Sequence, residues 1–525
     1  IIMNKKKNLT SKEAFALAVQ NHQKNNLQIA ENLYRESLKT NFNHFESIYN
    51  LGTLLAQTKR FDLAKPLLFK AIQIQPNYAD AHNNFGNVLK ELGEYQKAKS
   101  SYEKAIQIQP NYASAHYNLG IVLRELGEYQ KAKSSYEKAI QIQPNYASAH
   151  YNLGIVLQEL GEYQKAKSSY EMAVKYKPEN LVYLYHLSRL DEKILHSNLK
   201  NKIYEIIERS NSTKKNIAYG NFLLSKYELK AKKYKNEFDY LLKGHQYYFE
   251  SEKTKFKKRV EYLLNVLPKR KELINLNRYN KNIKKDNYVI KPIFIIGVPR
   301  CGSTLIEKII ASGNQYIPIG EETSIIDSVV ANLINHKQSL NSDIENFQTK
   351  IVETYKQKGL VQEKSNYMFT DKSLENFFYI DIIKEIFPQA KVINCRRNAL
   401  SSIMSTLKNN LLFLEWTHNL EHIFKYYDVY YQMIKNFEKT LPNFIYDLQY
   451  EKFVSDPENE AKKLMKFCGL PWDIKCLEFY KRRDLISKTA SNFQIRKAIY
   501  KDSINKYLPY KQFLSKYGNK YSWFN

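Results

Sequence analysis

A chain of 525 residues, 43% of them apolar, is long enough to bury several cores, which excludes a disordered polypeptide and sets an expectation of two or three domains. Its 81 Lys and Arg against 53 Asp and Glu leave a formal charge of +28 and suit an anionic partner. No Cys/His finger, RNA-recognition aromatic motif or KH loop accompanies that charge, so nucleic acid is not the expected partner. The excess Lys is spread among Asn, Ile and Tyr along the chain, a pattern that biased residue usage explains equally well.

Cys301, Cys395, Cys468 and Cys476 are scattered and form no C-x-x-C, which excludes a disulfide framework and points to a reducing compartment. The start, "IIMNKKKNLTSKEAF", has no apolar h-region, and no stretch approaches the roughly 20 apolar residues of a membrane span. A cytoplasmic protein is expected.

The first third is repetitive. "AHNNFGNVLKELGEYQKAKSSYEKAIQIQPNYAS" is followed by two near-copies, and Pro76, Pro110, Pro144 and Pro178 recur every 34 residues. Leu119, Gly120, Ala132, Tyr136, Ala139 and Pro144 stand where a helix–turn–helix unit needs small residues for close approach, a ring to fill the gap and a stop. The pattern resembles tetratricopeptide repeats, with units at about 45–78, 79–112, 113–146 and 147–180 and a degenerate one from about 11 to 44. Repeats over 11–182 therefore predict an α-solenoid whose concave face takes a peptide or protein.

Asn50, Asn84, Asn118 and Asn152 recur at one position of the first helix. An amide both donates and accepts, so such a ladder suits peptide backbone. The array of the O-linked N-acetylglucosaminyltransferase has a similar ladder, which implies peptide binding here. Solvated amides, or amides bonding neighbouring helices, are the other reading.

Residues 183–288 read as a Lys-rich helical connecting region with worn repeat-like helices, ending in the hydrophilic run "NRYNKNIKKDN" at 277–287. That run reads as solvated linker rather than nucleic-acid contact. Over 289–525 short apolar runs (293–296, 367–370, 392–395, 444–446) alternate with helical patterns, which predicts an α/β domain with a parallel sheet flanked by helices.

"PIFIIGVPRCGSTLIEKIIASG" (292–313) reads as strand, tight loop and helix N-terminus, an arrangement that aims backbone N–H groups at an anion. Set against G-x-x-x-x-G-K-[ST], the Lys position holds Ser303, and Arg300 stands inside the loop. A second strand end carries "RRNALSSIMS", in which Arg397 and Ser405 can converge on one phosphate.

Together the two segments resemble the sulfotransferases that use 3′-phosphoadenosine-5′-phosphosulfate. A P-R-[SC]-G-[ST]-T loop and an R-x₇-S segment carry the likeness, which is closest to the tyrosylprotein sulfotransferases. The resemblance implies a P-loop-like sulfotransferase fold. It further implies 5′-phosphosulfate held by Arg300, Cys301, Gly302, Ser303 and Thr304, and 3′-phosphate held by Arg397 and Ser405. In "GEET" (320–323) it implies Glu322 as general base, with Glu321 left to cap the following helix. In "TDKSLENF" it implies Lys372 as the cation beside the reacting centre, helped by Arg300. "YEKFVSDP" places Tyr450 near the adenosine, and "TASNFQIRKAIY" places Ser491 and Lys497 near the phosphates. Cys301 is expected to have no nucleophilic role, because the transfer is direct.

Sulfuryl transfer moves a less charged group than γ-phosphoryl transfer, so neither a Walker Lys nor a metal is called for. His418 and His422, spaced i, i+4, could pose as metal ligands but are expected on a helix surface. The expected activity is transfer to an acceptor hydroxyl, with protein tyrosine the family-based acceptor and glycan, lipid or small-molecule hydroxyls open beside it. The alternatives are a repeat adaptor with a catalytically degenerate nucleotide-binding domain and, less favoured by Ser303, a nucleotide kinase.

Overall fold

The computed structural model describes residues 9–270, 290–335, 344–361, 368–482, 484–485, 494–500 and 504–524. The chain divides into two compact units, Ile1–Glu192 and Lys193–Asn525.

The first unit is a run of paired helices. Ser11–Gln23 and Leu27–Thr40 form the degenerate pair, followed by Phe45–Gln57 with Phe61–Ile74, Ala79–Glu91 with Tyr95–Ile108, Ala113–Glu125 with Tyr129–Ile142, and Ala147–Glu159 with Tyr163–Tyr176. Leu181–Leu190 closes the unit. The 34-residue pattern is a packing rule. A Cβ on Gly120 would lie 2.6 Å from Cε1 of Tyr136, so only a bare backbone lets this buried ring sit between the two helices.

Polar contacts between units repeat with the same period. The His82, His116 and His150 Nε2–H groups donate to the carbonyls of Pro76, Pro110 and Pro144 at 2.9, 2.9 and 2.8 Å. Lys99 pairs with Glu128 at 2.9 Å and Lys133 with Glu162 at 3.0 Å. These half-buried pairs are each worth about 1 kcal/mol or less, so the buried Ala, Leu and Tyr rows hold the array together.

In the second unit, helices Ser197–Glu208, Lys214–Lys230, Tyr234–Ser251 and Lys253–Glu261 precede a four-stranded sheet. The strands are β1 (Ile293–Gly297), β2 (Thr370–Asp371), β3 (Lys391–Arg396) and β4 (Ile445–Gln449), all parallel in the order β2-β1-β3-β4. β1 is central and buried along its whole length, as its apolar run requires. Gly297 pairs with Cys395, and Cys395 with Leu448, so three strand ends finish level on one edge. β2 is Thr370–Asp371, so of the segment expected at 367–370, whose first residue lies outside the described residues, only Thr370 is strand, and β4 extends to Gln449. The 277–287 run also lies outside them.

The helices expected to connect the repeats to the α/β part pack on its body. Arg259 reaches Asp327 at 3.0 Å, Arg270 donates from Nε to the Phe378 carbonyl at 2.6 Å and pairs with Asp381, and Glu237 pairs with Lys408 at 3.0 Å. His418 corrects the expectation of a helix surface. It sits buried in the turn Glu415–His418, and its Nδ1 meets Nδ1 of His245 at 2.9 Å. An aromatic floor of Tyr248 and Phe256 is the reason, because it takes the imidazole out of water. Among the described residues, no helix is long and apolar enough to cross a membrane, and no three His, Cys, Asp or Glu residues are grouped to hold a metal ion.

Candidate functional site

β1 ends at Gly297, and the chain turns through Arg300 and Gly302, both at positive φ (+68° and +103°), into the helix Ser303–Ala311. The backbone at Gly302 is left-handed, and a Cβ there would lie 2.5 Å from the Tyr450 ring, so both geometry and space require glycine. The turn points the first N–H groups of the helix and its positive dipole end outward from the sheet edge.

One cleft is lined by Arg300, Gly302, Thr304, Arg397, Tyr450 and Lys497, among others, drawn from four separate stretches of sequence. Arg300 Nε donates to Ser405 Oγ at 3.0 Å, and Arg397 Nη1 donates to the Arg300 carbonyl at 3.0 Å. The Arg397 guanidinium stacks 4.7 Å from the centre of the Tyr450 ring, which holds its plane. The two arginines of "RR" part company. Arg396 turns to Asp447 at 3.0 Å and to Glu438, while Arg397 faces the cleft. Arg396 is the last residue of β3, and Arg397, the first beyond it, is held toward the cleft by its bond to the Arg300 carbonyl. Asn398 caps the helix Ala399–Asn409 by accepting from the Ser401 N–H at 2.9 Å, which orients the helix bearing Ser405.

Cys301 and Ser303 are buried beneath the loop. The interaction between the Cys301 and Cys395 thiols draws Cys301 below its ordinary range against the effect of burial and pushes Cys395 up. Ser491 lies outside the described residues.

The "GEET" segment runs beside the end of β2. Glu321 and Lys372 form a parallel bridge: the Lys372 N–H donates to the Gly320 carbonyl at 2.9 Å and the Glu322 N–H to the Lys372 carbonyl at 3.0 Å. Lys372 Nζ lies 3.0 Å from Glu321 Oε1 and 3.4 Å from Thr304 Oγ1. Glu321, expected as a helix cap, thus directs its carboxylate to Lys372. Burial works against the lysine's charge, but Glu321, Glu307 and Glu322 outweigh it and hold the ammonium above its ordinary range. Glu322 is exposed with φ +51°, a left-handed conformation that costs a non-glycine residue about 1 kcal/mol and is held by the backbone bridge.

In the repeats the four Asn side chains are engaged within the array. Asn84 donates to Tyr49 Oη at 2.9 Å, Asn118 to Asn83 Oδ1 at 3.0 Å and Asn152 to Tyr117 Oη at 3.0 Å, while Asn50 bonds its own helix at the Glu46 carbonyl.

Comparison with known proteins follows this division. Residues 292–474 match the model of the sulfotransferase family, and 44–111, 77–145 and 111–179 match the tetratricopeptide repeat. Residues 292–474 form a sulfotransferase-family domain. The chain is 30% identical over 241 residues to an uncharacterized protein of Aquifex aeolicus (strain VF5), covering 43% of this chain and 31% of that one. It is 24% identical over 205 residues to protein-tyrosine sulfotransferase 1 of Danio rerio, covering 34% of this chain and 54% of that one. The chain thus spans about a third and about half of these relatives. Among solved structures, the MamA protein is 25% identical with a TM-score of 0.30, covering 33% of this chain and 94% of that one. YrrB, a TPR protein with an unusual peptide-binding site, is 21% identical with a TM-score of 0.31, covering 33% and 90%.

Two acidic residues of the sulfotransferase-family domain escaped the sequence reading. Asp371 is buried and accepts from Tyr355 Oη at 2.5 Å, Thr323 Oγ1 at 2.7 Å, Ser373 Oγ at 2.7 Å and Asn376 Nδ2 at 3.0 Å. Burial raises its pKa while these bonds oppose the rise, and they lock the "GEET" loop to β2. Its signal was its place directly before Lys372. Glu307, one turn past Thr304, is fully buried and accepts from Thr370 Oγ1 at 2.8 Å. Burial, opposed mainly by Lys372, raises its pKa to about 7. A Glu inside an apolar helix run was the available clue.

Proposed function

We propose that this chain is a sulfotransferase that moves a sulfuryl group from 3′-phosphoadenosine-5′-phosphosulfate to an acceptor hydroxyl, with a polypeptide tyrosine as the acceptor. The observation that carries this reading is the single cleft in which Arg300, Arg397, Lys497, Tyr450 and a helix N-terminus converge. Two fork-shaped cations, a point charge, N–H donors and an aromatic ring form a donor set that fits a nucleotide with two separate anionic groups. The likeness to protein-tyrosine sulfotransferase 1 supports the acceptor.

The donor supplies an activated sulfuryl group, and the chain's residues do the rest. Loop N–H groups, Arg300, Ser303 and Thr304 hold the 5′ side, and Arg397 with Ser405 holds the 3′-phosphate. Tyr450 borders the adenosine, and Lys497 reaches the phosphates. The exposed Glu322 takes the proton of the acceptor hydroxyl as its oxygen attacks sulfur. Lys372 and Arg300 stabilise charge that develops on the leaving oxygen. The repeats recruit the polypeptide, in which case the Asn ladder works through groups beyond those bonded inside the array.

Incubating the chain with ³⁵S-labelled donor and fractionated lysate tests this reading. Label in protein, recovered as tyrosine sulfate after alkaline hydrolysis, is the expected result. Label in glycan or lipid would reassign the acceptor. No label in any fraction would favour a repeat adaptor with a degenerate domain.

A further inference from the structure

We propose that Glu321 is a positioning residue of the transfer site, holding the Lys372 ammonium against the head of the donor helix. This rests on the sulfotransferase reading and adds a residue to it.

Glu321 and Lys372 meet twice. Their backbones form the parallel bridge, and their side chains form an ion pair at 3.0 Å with only 7% and 2% of the side chains exposed. A buried lysine with no counter-charge tends to lose its proton. Glu321 supplies that charge at hydrogen-bond distance, while Glu307 has a raised pKa, and its Oε2 has no hydrogen-bond partner among the described residues.

An ammonium carries three N–H bonds in a tetrahedral array. With one directed at Glu321 and another at Thr304 Oγ1, the direction of the third is set. Thr304 is the second residue of the helix that follows the loop, so the ion pair aligns the cation with the place where a 5′-phosphosulfate would be held. The same bridge holds the Glu322 N–H on the Lys372 carbonyl at 3.0 Å. One short backbone ladder therefore sets the proposed base and the proposed cation relative to each other, and the Glu321 side chain completes it.

The titratable groups around Lys372 are Glu321 and Glu322 on the loop, Glu307 and Lys308 on the helix, and the Cys395 thiol on β3. Removing the Glu321 charge leaves the helix groups and Glu322 in place, so the lysine titrates at lower pH and the basic limb of the rate profile follows it.

The test compares wild type, Glu321→Gln and Glu321→Asp in the full chain. Three readouts are used: a ¹⁵Nζ-lysine NMR titration, pH profiles of kcat for transfer from ³⁵S-labelled donor, and calorimetric binding of 3′-phosphoadenosine-5′-phosphate. For Glu321→Gln the expected results are a Lys372 pKa lower by at least about one unit, kcat lower by about tenfold or more, and product affinity within about threefold of wild type. Glu321→Asp, which keeps the charge, should recover part of both the pKa and kcat. An unchanged titration and pH profile in Glu321→Gln, with wild type active, would overturn the positioning role alone. A wild type that transfers no label and binds no 3′-phosphoadenosine-5′-phosphate would overturn the sulfotransferase reading, and the positioning role with it.

Discussion

Arg300 Nε donates to Ser405 Oγ at 3.0 Å, joining the loop after β1 to the helix after β3 across 105 residues of sequence. The serine paired in the sequence with Arg397 is thus also the anchor of the loop arginine. Ser405→Ala should therefore weaken binding of both 3′-phosphoadenosine-5′-phosphate and adenosine 5′-phosphate, by about tenfold for a lost hydrogen bond to a charged group. Calorimetry with both nucleotides checks this. Loss confined to the bisphosphate would assign Ser405 to the 3′-phosphate alone.

Arg397 donates to the Arg300 carbonyl and lies over the Tyr450 ring, so it joins three parts of the cleft. Arg397→Lys keeps the charge but loses the planar fork and the stack, and should still lower affinity for the bisphosphate by about tenfold. Equal affinity for Lys and Arg forms, measured by calorimetry, would reduce the residue to a point charge.

Glu322→Gln should cut turnover by about 10²-fold, the scale of lost acid–base help, while product binding stays as in wild type. Single-turnover transfer from labelled donor measures the first and calorimetry the second. Wild-type turnover would remove Glu322 from the role of base.

The repeats allow a matched pair of substitutions. Tyr102 Oη donates to Asn87 Oδ1 at 2.8 Å, whereas the buried Tyr136 Oη has no hydrogen-bond partner among the described residues, Ile121 standing where Asn87 does. Tyr102→Phe should cost the array about 1 kcal/mol in urea unfolding, and Tyr136→Phe should be neutral or stabilising. Equal losses would show that the bond to Asn87 does not set the two hydroxyls apart.

The His245–His418 pair makes the second unit acid-sensitive. Burial lowers the His245 pKa to about 4, against the bond from its Nε2–H to the Leu407 carbonyl, and burial with the neighbouring His245 lowers that of His418. Unfolded histidine titrates near about 6.5, so the unfolded chain binds more protons below that pH. Stability is then fully present above about pH 6.5 and is lost as pH falls toward 4. His245 alone accounts for about 1–3 kcal/mol of that loss. Thermal melts at pH 7 and pH 5 should show the fall, and His245→Gln should flatten it.

Much of this architecture was legible in the residues in order. A 34-residue period defines helix pairs because helix, turn and Gly–Tyr contact all lie within one unit. The loop after β1 could be read because an apolar run, Gly297, Gly302 and a helix start are neighbours in the chain. What the residues in order could not reveal are contacts whose partners lie far apart.

The local sequence by itself determined the repeats, the strand–loop–helix cradle and the residue types available to hold an anion, since backbone propensity and short-range packing act over a few residues. Tertiary structure alone decided that Arg396 turns away to Asp447, that the Glu321 carboxylate meets Lys372, and that His418 is buried against His245. Each of those outcomes depends on which strands lie side by side and which helix covers them. That order is set by burial of the whole apolar sheet, a quantity no single stretch of sequence contains.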